Sequence, residues 1–287
     1  MHSLYLLLSR IISKFSQKTY FQIAYFHHRK RLPDLVSPHD LSEIWISHLL
    51  AGKVNEYYFL ADKYAVRKYV IERGYGETLP LLYNYYTHGS QFDLSALPSK
   101  FALKANWGAT MNLICTDKTK YTQGLICKQI DSWLSSPNYS NSERHYNLIE
   151  RKIICEEFID DGHGGFPIDY KFICLKGNVV VVLVCSGRES GHAEYIPYDT
   201  QWNPKLDYCI SKHDKDEILP RPQNLDNMLA MAKQLSCDLD LVRVDLYSNG
   251  SKIWFGEMTL TPDECIFRRW TQNAIDEMGD FYRSHES

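Results

Sequence analysis

Hydrophobic and polar positions alternate most regularly late in the chain. They follow a two-residue period over residues 241–247 and again over 252–258, with Ser248-Asn249-Gly250 between. Side chains alternate across a strand and Asn-Gly favours a tight turn, so the pattern predicts a β-hairpin. A second hairpin is predicted from residues 169–175 and 178–185 about Lys176-Gly177, its second strand apolar enough to be buried on both faces. Shorter strands are expected at 81–86, 100–104, a run ending at Cys115, and 152–159. Helical spacing marks 41–50 after Ser37-Pro38-His39-Asp40, then 62–72 closed by Gly74 and Gly76, 123–134, and 225–236 introduced by Pro220 and Pro222. Residues 78–99 are otherwise loop, 135–142 a polar linker, and no internal repeat is present.

The 287 residues suffice for one large domain or two to three subdomains. An apolar fraction of 44% with 23% charged residues is that of a globular protein. The net charge of −3 argues against a general nucleic-acid binder, so no nucleic-acid partner is expected. Eight scattered cysteines without a Cys-x-x-Cys pair fit reduced thiols rather than a zinc or disulfide framework. No apolar run is long enough for a membrane span, and Leu4 to Leu8 is too short for a signal-peptide core, so a cytoplasmic protein is expected. The cluster His27-His28-Arg29-Lys30-Arg31 reads either as a solvated helix face or as peripheral contact with the inner face of a membrane.

Asp245 and Glu257 change the picture, because carboxylates are depleted inside strands. Folding about Asn249-Gly250 brings them near each other, although Asp245 lies four residues before Asn249 and Glu257 seven after Gly250. Either both face water, or they converge as hard oxygen ligands of the kind Mg²⁺ takes when it also holds phosphates. Lys104 ends a strand that leads into the small-residue loop 105–112, an arrangement that serves phosphate or is an ordinary turn. Lys171, if it faces inward, needs an anion beside it. The glycine-rich stretch around His163 reads as a hinge, and residues 188–192 as a surface loop or an acceptor-pocket wall.

Taken in order, Asp62-Lys63, Phe101-Ala-Leu-Lys104, the small-residue loop, Glu156-Glu-Phe-Ile159, Lys171, Arg243-Val-Asp245 and Glu257-Met-Thr259 resemble the ATP-grasp superfamily. The phrases Ala61-Asp-Lys-Tyr-Ala-Val-Arg67, Leu97-Pro-Ser-Lys-Phe-Ala-Leu-Lys104, Asp169-Tyr-Lys-Phe172 and Arg243-Val-Asp-Leu-Tyr247 with Phe255-Gly-Glu-Met-Thr259 look closest to its TupA-like branch, associated with teichuronopeptide and surface-polysaccharide biosynthesis. The resemblance covers roughly residues 35–280.

It implies an α+β fold in which two α/β subdomains of mostly antiparallel sheet clamp a nucleotide. A helical N-terminal segment (1–60) would precede a small lid subdomain (61–159) and a C-terminal catalytic subdomain (160–287). By the same resemblance Lys63 and Lys104 contact phosphates of ATP, and the loop from Asn106 through Gly108 to Asn112 closes over them. Glu156 and the Phe158-Ile159 backbone hold adenine, Asp169 the ribose, and Lys171 a phosphate or the adenine side. Asp245, Glu257 and Thr259 hold Mg²⁺, and Arg243, with Lys104, stabilises the transferring phosphoryl group.

Acids and bases left unpaired would each be costly to bury, so a Mg–nucleotide is expected between them. The chain departs from the branch at Thr259, where an amide is usual, and at Trp107, Ala109 and Thr110 in the lid. The expected reaction joins a carboxylate to an amine through an acyl phosphate, with small-molecule or sugar-linked substrates. Phosphotransfer to a hydroxyl and non-catalytic nucleotide binding are the alternatives. Asp238-Leu239-Asp240 has the letters of a sugar-nucleotide site but falls at a helix end.

Overall fold

The computed structural model describes residues 16–139, 143–161, 165–187, 193–211 and 218–285. The residues around His163, those at 188–192, the end of the linker at 140–142 and the first fifteen residues lie outside that description.

Strands β1 (Leu82–Tyr86), β2 (Phe101–Ala105), β3 (Asn112–Cys115) and β4 (Ile153–Glu156) form an antiparallel sheet in the order β1-β4-β2-β3. All four residues of β4 are buried, as suits a central strand. Strands β5 (Ile168–Leu175), β6 (Asn178–Ser186), β7 (Glu194–Tyr198), β8 (Leu241–Ser248) and β9 (Ile253–Thr259) form a second antiparallel sheet in the order β7-β6-β5-β8-β9. Both predicted hairpins are present. Lys176 and Gly177 turn the first with φ of 50° and 70°, the left-handed pair that a two-residue hairpin turn requires.

The helices are α1 (Gln17–Arg29), α2 (Leu41–Leu50), α3 (Lys53–Glu56), α4 (Val66–Glu72), α5 (Gln123–Leu134), α6 (Leu225–Ser236) and α7 (Gln272–Ser284). α2, α5 and α6 occupy the predicted spans. α4 begins four residues later than expected, because Asp62 is spent on a turn: its carboxylate accepts from the Tyr64 and Ala65 N–H groups at 2.8 and 3.2 Å. β4 stops at Glu156 rather than at 159, although the Glu157 N–H still reaches the Leu81 carbonyl at 2.8 Å.

β7 and α7 have no counterpart in the sequence reading. β7 carries Pro197 and lies at the sheet edge beside β6, where proline is tolerated. α7 contains Gly279, which reads as a helix breaker, but a Cβ there would lie 2.1 Å from the His39 carbonyl. Close packing of α7 on the start of α2 therefore requires that glycine.

The basic cluster is only partly a solvated face. Arg29 donates to the Phe267 and Trp270 carbonyls at 2.8 and 2.9 Å, and Arg31 pairs with Asp40 at 2.9 Å and Glu43 at 2.5 Å. No described helix is long and apolar enough to cross a membrane, and all eight cysteines are free.

Asp40 and Glu43 form a capping box at the start of α2, and both are fully buried. Glu43 accepts from Arg31 and from the N–H groups of Asp34, His39 and Asp40. Burial raises its carboxyl, but those backbone bonds and Arg31 outweigh burial and hold it below the ordinary carboxylate range. Glu43→Ala leaves these donors without their acceptor and should cost about 3–5 kcal/mol in urea unfolding. The depressed carboxyl stabilises the fold at neutral pH. That contribution is lost as pH falls through the folded-state value, so the gap between wild type and Glu43→Ala should narrow in acid.

Candidate active site

β8 and β9 form the floor of a cleft. Ser248 pairs with Ile253 and Leu246 with Phe255, whereas Asp245 pairs with Glu257, so Gly256 is an extra residue in the ladder. The turn at 249–252 absorbs part of the offset counted along the chain, and the bulge at Gly256 absorbs the rest. A Cβ on Gly256 would sit 2.8 Å from the Asp245 carbonyl and 2.9 Å from the Tyr247 ring, so the bulge needs glycine.

Direct cross-strand partners project from the same face of a sheet. With Lys171 opposite Asp245 and Asp169 opposite Tyr247, one face carries Asp169, Lys171, Arg243, Asp245, Tyr247, Glu257 and Thr259. The other face of β5 and β8, including Phe172, Val242, Val244 and Leu246, is buried in the apolar core.

On the polar face the acids and bases are already paired. Arg243 grips Asp245 with Nε at 2.6 Å and a terminal nitrogen at 2.7 Å. Lys171 bridges Asp169 at 2.8 Å and Asp245 at 2.6 Å. Lys63 stands 3.4 Å from Glu257 and donates to the Gly108 carbonyl at 2.8 Å, while Lys104 is bonded to Glu156. The expectation that lysines and carboxylates stay uncompensated until a Mg–nucleotide arrives is therefore corrected. Each of these charges has a protein counter-ion, and an incoming ligand must exchange partners rather than supply them.

Electrostatics follow from this arrangement. Burial lowers Lys171, but Asp169 and Asp245 outweigh it and raise the ammonium above its ordinary value. Arg243 is likewise disfavoured by burial and held charged by Asp245. Burial raises Glu257, yet Lys63, Arg243, Lys171 and a Thr259 hydrogen bond pull its carboxyl down to about 2. The Glu257 side chain keeps 34% of its surface in solvent, so water screens part of that field. Thr259 donates to Glu257 at 3.1 Å and accepts from Arg243 at 3.0 Å, which orients the carboxylate. Asp245 and Glu257 form a hard oxygen pair suited to Mg²⁺. Among the described residues no third His, Cys, Asp or Glu joins them, so phosphate and water oxygens would complete the shell.

Above this floor a polar cavity of about 180 Å³ is lined by Lys63, Lys104, Gly108, Asn112, Lys171 and Asp245. An apolar one of about 280 Å³ adjoins it, lined by Phe158, Ile159, Phe166 and Pro167, with Lys104, Asn112 and Tyr247 common to both.

Two expected contacts do not reach the cleft. The Asn106 amide is buried, bonded to Asp62 at 2.7 Å, the Glu150 carbonyl at 3.0 Å and the Lys152 N–H at 2.8 Å, and it holds the loop base rather than a ligand. Glu156 is turned to Lys104, and Glu157 lines the apolar cavity instead.

Sequence reasoning missed Tyr247 and Gly256, although the uneven count from the turn was a signal for the bulge. The residues after Thr261-Pro262, in sequence a place for acceptor contacts at Asp263 and Glu264, form a turn whose shape the sequence did not show. Asp263, Glu264 and Cys265 take φ of 48°, 53° and 65°, a left-handed turn costing about 1–2 kcal/mol per residue. Hydrogen bonds from Tyr20 to Glu264 (2.7 Å), Ser42 to the Ile266 carbonyl (3.0 Å) and Trp45 to the Leu260 carbonyl (2.6 Å) hold it. Asp263 and Glu264 are bound there to Arg268.

The floor carboxylates should separate in stability measurements. The Asp245 side chain is 2% exposed, and Asp245→Asn takes from Arg243 its nearest carboxylate and leaves Lys171 with Asp169 alone, so about 3–5 kcal/mol should be lost in urea unfolding. Glu257→Gln should stay within about 1 kcal/mol of wild type, as expected for a pair open to solvent. The reverse order would show that the outer carboxylate anchors the cluster.

Solved structures of similar shape include D-alanine–D-alanine ligase from Bacillus anthracis, 13% identical with a TM-score of 0.46 over 79% of this chain and 64% of that one. The Helicobacter pylori D-alanine–D-alanine ligase is 12% identical, with a TM-score of 0.42 over 78% and 57%. The ATP-grasp ligase PsnB, complexed with a phosphomimetic variant of its minimal precursor, Mg and ADP, is 10% identical, with a TM-score of 0.42 over 85% and 65%. This chain thus spans less than two thirds of each of those proteins. No curated protein sequence matches it significantly. The TupA-like ATP-grasp family profile matches residues 44–282, most of the chain, and therefore both sheets and the cleft between them. The chain belongs to the TupA-like ATP-grasp family.

Proposed function

We propose that this chain joins a carboxylate to an amine in a reaction driven by ATP. The observation that carries this reading is the Asp245–Glu257 pair on the floor of a cation-lined cavity that opens onto an apolar one. Adenine fits the apolar cavity, against Phe158, Ile159 and Phe166, and the triphosphate fits the polar one, where Lys63 and Lys104 can exchange Glu257 and Glu156 for phosphate oxygens. Asp169, bonded to Lys171 and 1% exposed, suits holding that lysine better than reaching a ribose.

Magnesium held by Asp245 and Glu257, with Thr259 orienting the latter, would offset phosphate charge. A substrate carboxylate oxygen attacks the γ-phosphorus, the bond to ADP breaks, and an acyl phosphate forms. The amine then attacks the acyl carbon, phosphate leaves with the C–O bonding pair, and the nitrogen gives up a proton. Arg243 supplies a fixed positive charge beside the transferring group. Neither step needs a nucleophilic side chain. The family's association with surface polysaccharides makes a sugar-linked acid and an amino-acid amine the substrates we propose. Contact of the N-terminal basic segment with a membrane surface would place the chain near such precursors.

Calorimetric titration with ATP, with and without Mg²⁺, tests the site without knowledge of the acceptor. Wild type should bind ATP in a Mg²⁺-dependent way, and Glu257→Gln should weaken that binding at least about tenfold, a loss of roughly 1.4 kcal/mol. Absence of nucleotide binding by folded wild type would refute the reading. ADP release that requires a hydroxyl acceptor and no amine would replace ligation with phosphotransfer.

A further inference from the structure

The loop joining β2 to β3 is not uniformly a lid. Asn106, Trp107 and Gly108 are buried, whereas Ala109, Thr110 and Asn112 are exposed. Trp107 lies under Arg151, whose guanidinium stands 5.0 Å from the ring centre. The same guanidinium binds the Leu134 carbonyl at 3.0 Å and the Asn138 side chain at 2.9 Å, so it ties the linker after α5 to the loop.

Gly108 has φ of +68°, and a Cβ on it would fall 2.0 Å from the Tyr139 hydroxyl. That hydroxyl therefore lies directly against the Gly108 backbone, at a place that only a glycine leaves open. On the opposite side the Gly108 carbonyl accepts from Lys63 at 2.8 Å. Tyr139 is itself fixed. The Asn147 side chain accepts from its N–H and donates to its carbonyl, both at 2.8 Å, and its ring packs on Tyr146 with centroids 5.3 Å apart.

We propose that Tyr139 is a positioning residue for the nucleotide phosphates: its hydroxyl fixes the Gly108–Ala109 peptide, so that the loop meets the triphosphate already shaped. This deepens the ATP-binding reading and rests on it. A loop ordered beforehand loses less entropy on binding, and the gain goes to whatever ligand touches it. The loop borders the cavity of Lys63 and Lys171, and Phe158 and Ile159 line the other cavity. The hydroxyl should therefore matter for the phosphates and not for adenosine. Movement of the lid is then confined to the tip at Ala109 to Met111.

The test is calorimetric titration of wild type and Tyr139→Phe with Mg-ATP and separately with adenosine, with thermal unfolding to confirm a folded variant. Tyr139→Phe should weaken Mg-ATP about tenfold and adenosine less than about twofold. A general structural defect would weaken both alike. Equal losses, or none, would overturn the proposal while leaving ATP binding in place. Wild type that binds neither ligand would overturn the proposal and the ligase reading together. If Tyr139→Phe does not fold, Asn147→Ala provides the same comparison, because it frees the Tyr139 backbone and keeps the hydroxyl. It should show the same selective loss, and its absence would equally overturn the proposal.

Discussion

Arg243, Asp245 and Lys171 form a buried charge cluster on which the second sheet and its cleft depend. Asp245 accepts from both cations, and neither it nor Lys171 is open to water. Charges at such depth hold one another in place, because losing Asp245, which both cations share, leaves their charge only partly compensated by Asp169 and Glu257. The cluster fixes the side-chain positions of β5 and β8 on one face, while Phe172, Val244 and Leu246 fill the core on the other. The outer carboxylate, Glu257, is bound more loosely by Lys63, Arg243 and Thr259. Its partial exposure leaves it the more available of the two carboxylates to exchange partners.

The cleft arises where the two sheets meet. Lys63 precedes the first sheet in the chain and Glu257 belongs to the second, so their contact at 3.4 Å spans the junction. Lys63 also holds the Gly108 carbonyl, which links the loop over the cleft to its floor. Each of these contacts is polar and made by partly exposed side chains, unlike the cores behind the sheets. A ligand carrying several negative charges can compete for the lysines without disturbing the hydrophobic packing.

The N-terminal helices act at the far end of the same floor. β9 runs into a left-handed turn that an L-residue chain avoids, and Tyr20, Ser42 and Trp45 bind it from α1 and α2. Arg29 adds bonds to the carbonyls just beyond. Tyr20, Arg29 and Ser42 lie before residue 44, where the family match begins. The strained turn is thus held in part by residues outside the shared region, with Trp45 inside it. Glu143 lies within the fields of Glu264, Lys63 and Glu257, and burial with Glu264 raises its carboxyl to about 7.

Local periodicity determined the elements. Both hairpins, α2, α5 and α6 follow from spacing, caps and turns that act within a few residues, and the order of lysines and carboxylates pointed to the family. Features that depend on neighbours from elsewhere in the chain were not legible in this way. Gly279 reads as a helix breaker until the His39 carbonyl is beside it, and Asn106 reads as a ligand contact until Asp62 and Glu150 take its amide. The bulge at Gly256 decided that Asp245 and Glu257 stand opposite each other, because a one-residue change of register turns a side chain to the other face. The charges themselves were set by the sequence. Their pairing was decided by the tertiary structure, since Coulomb energy depends on distances that only sheet register and packing fix.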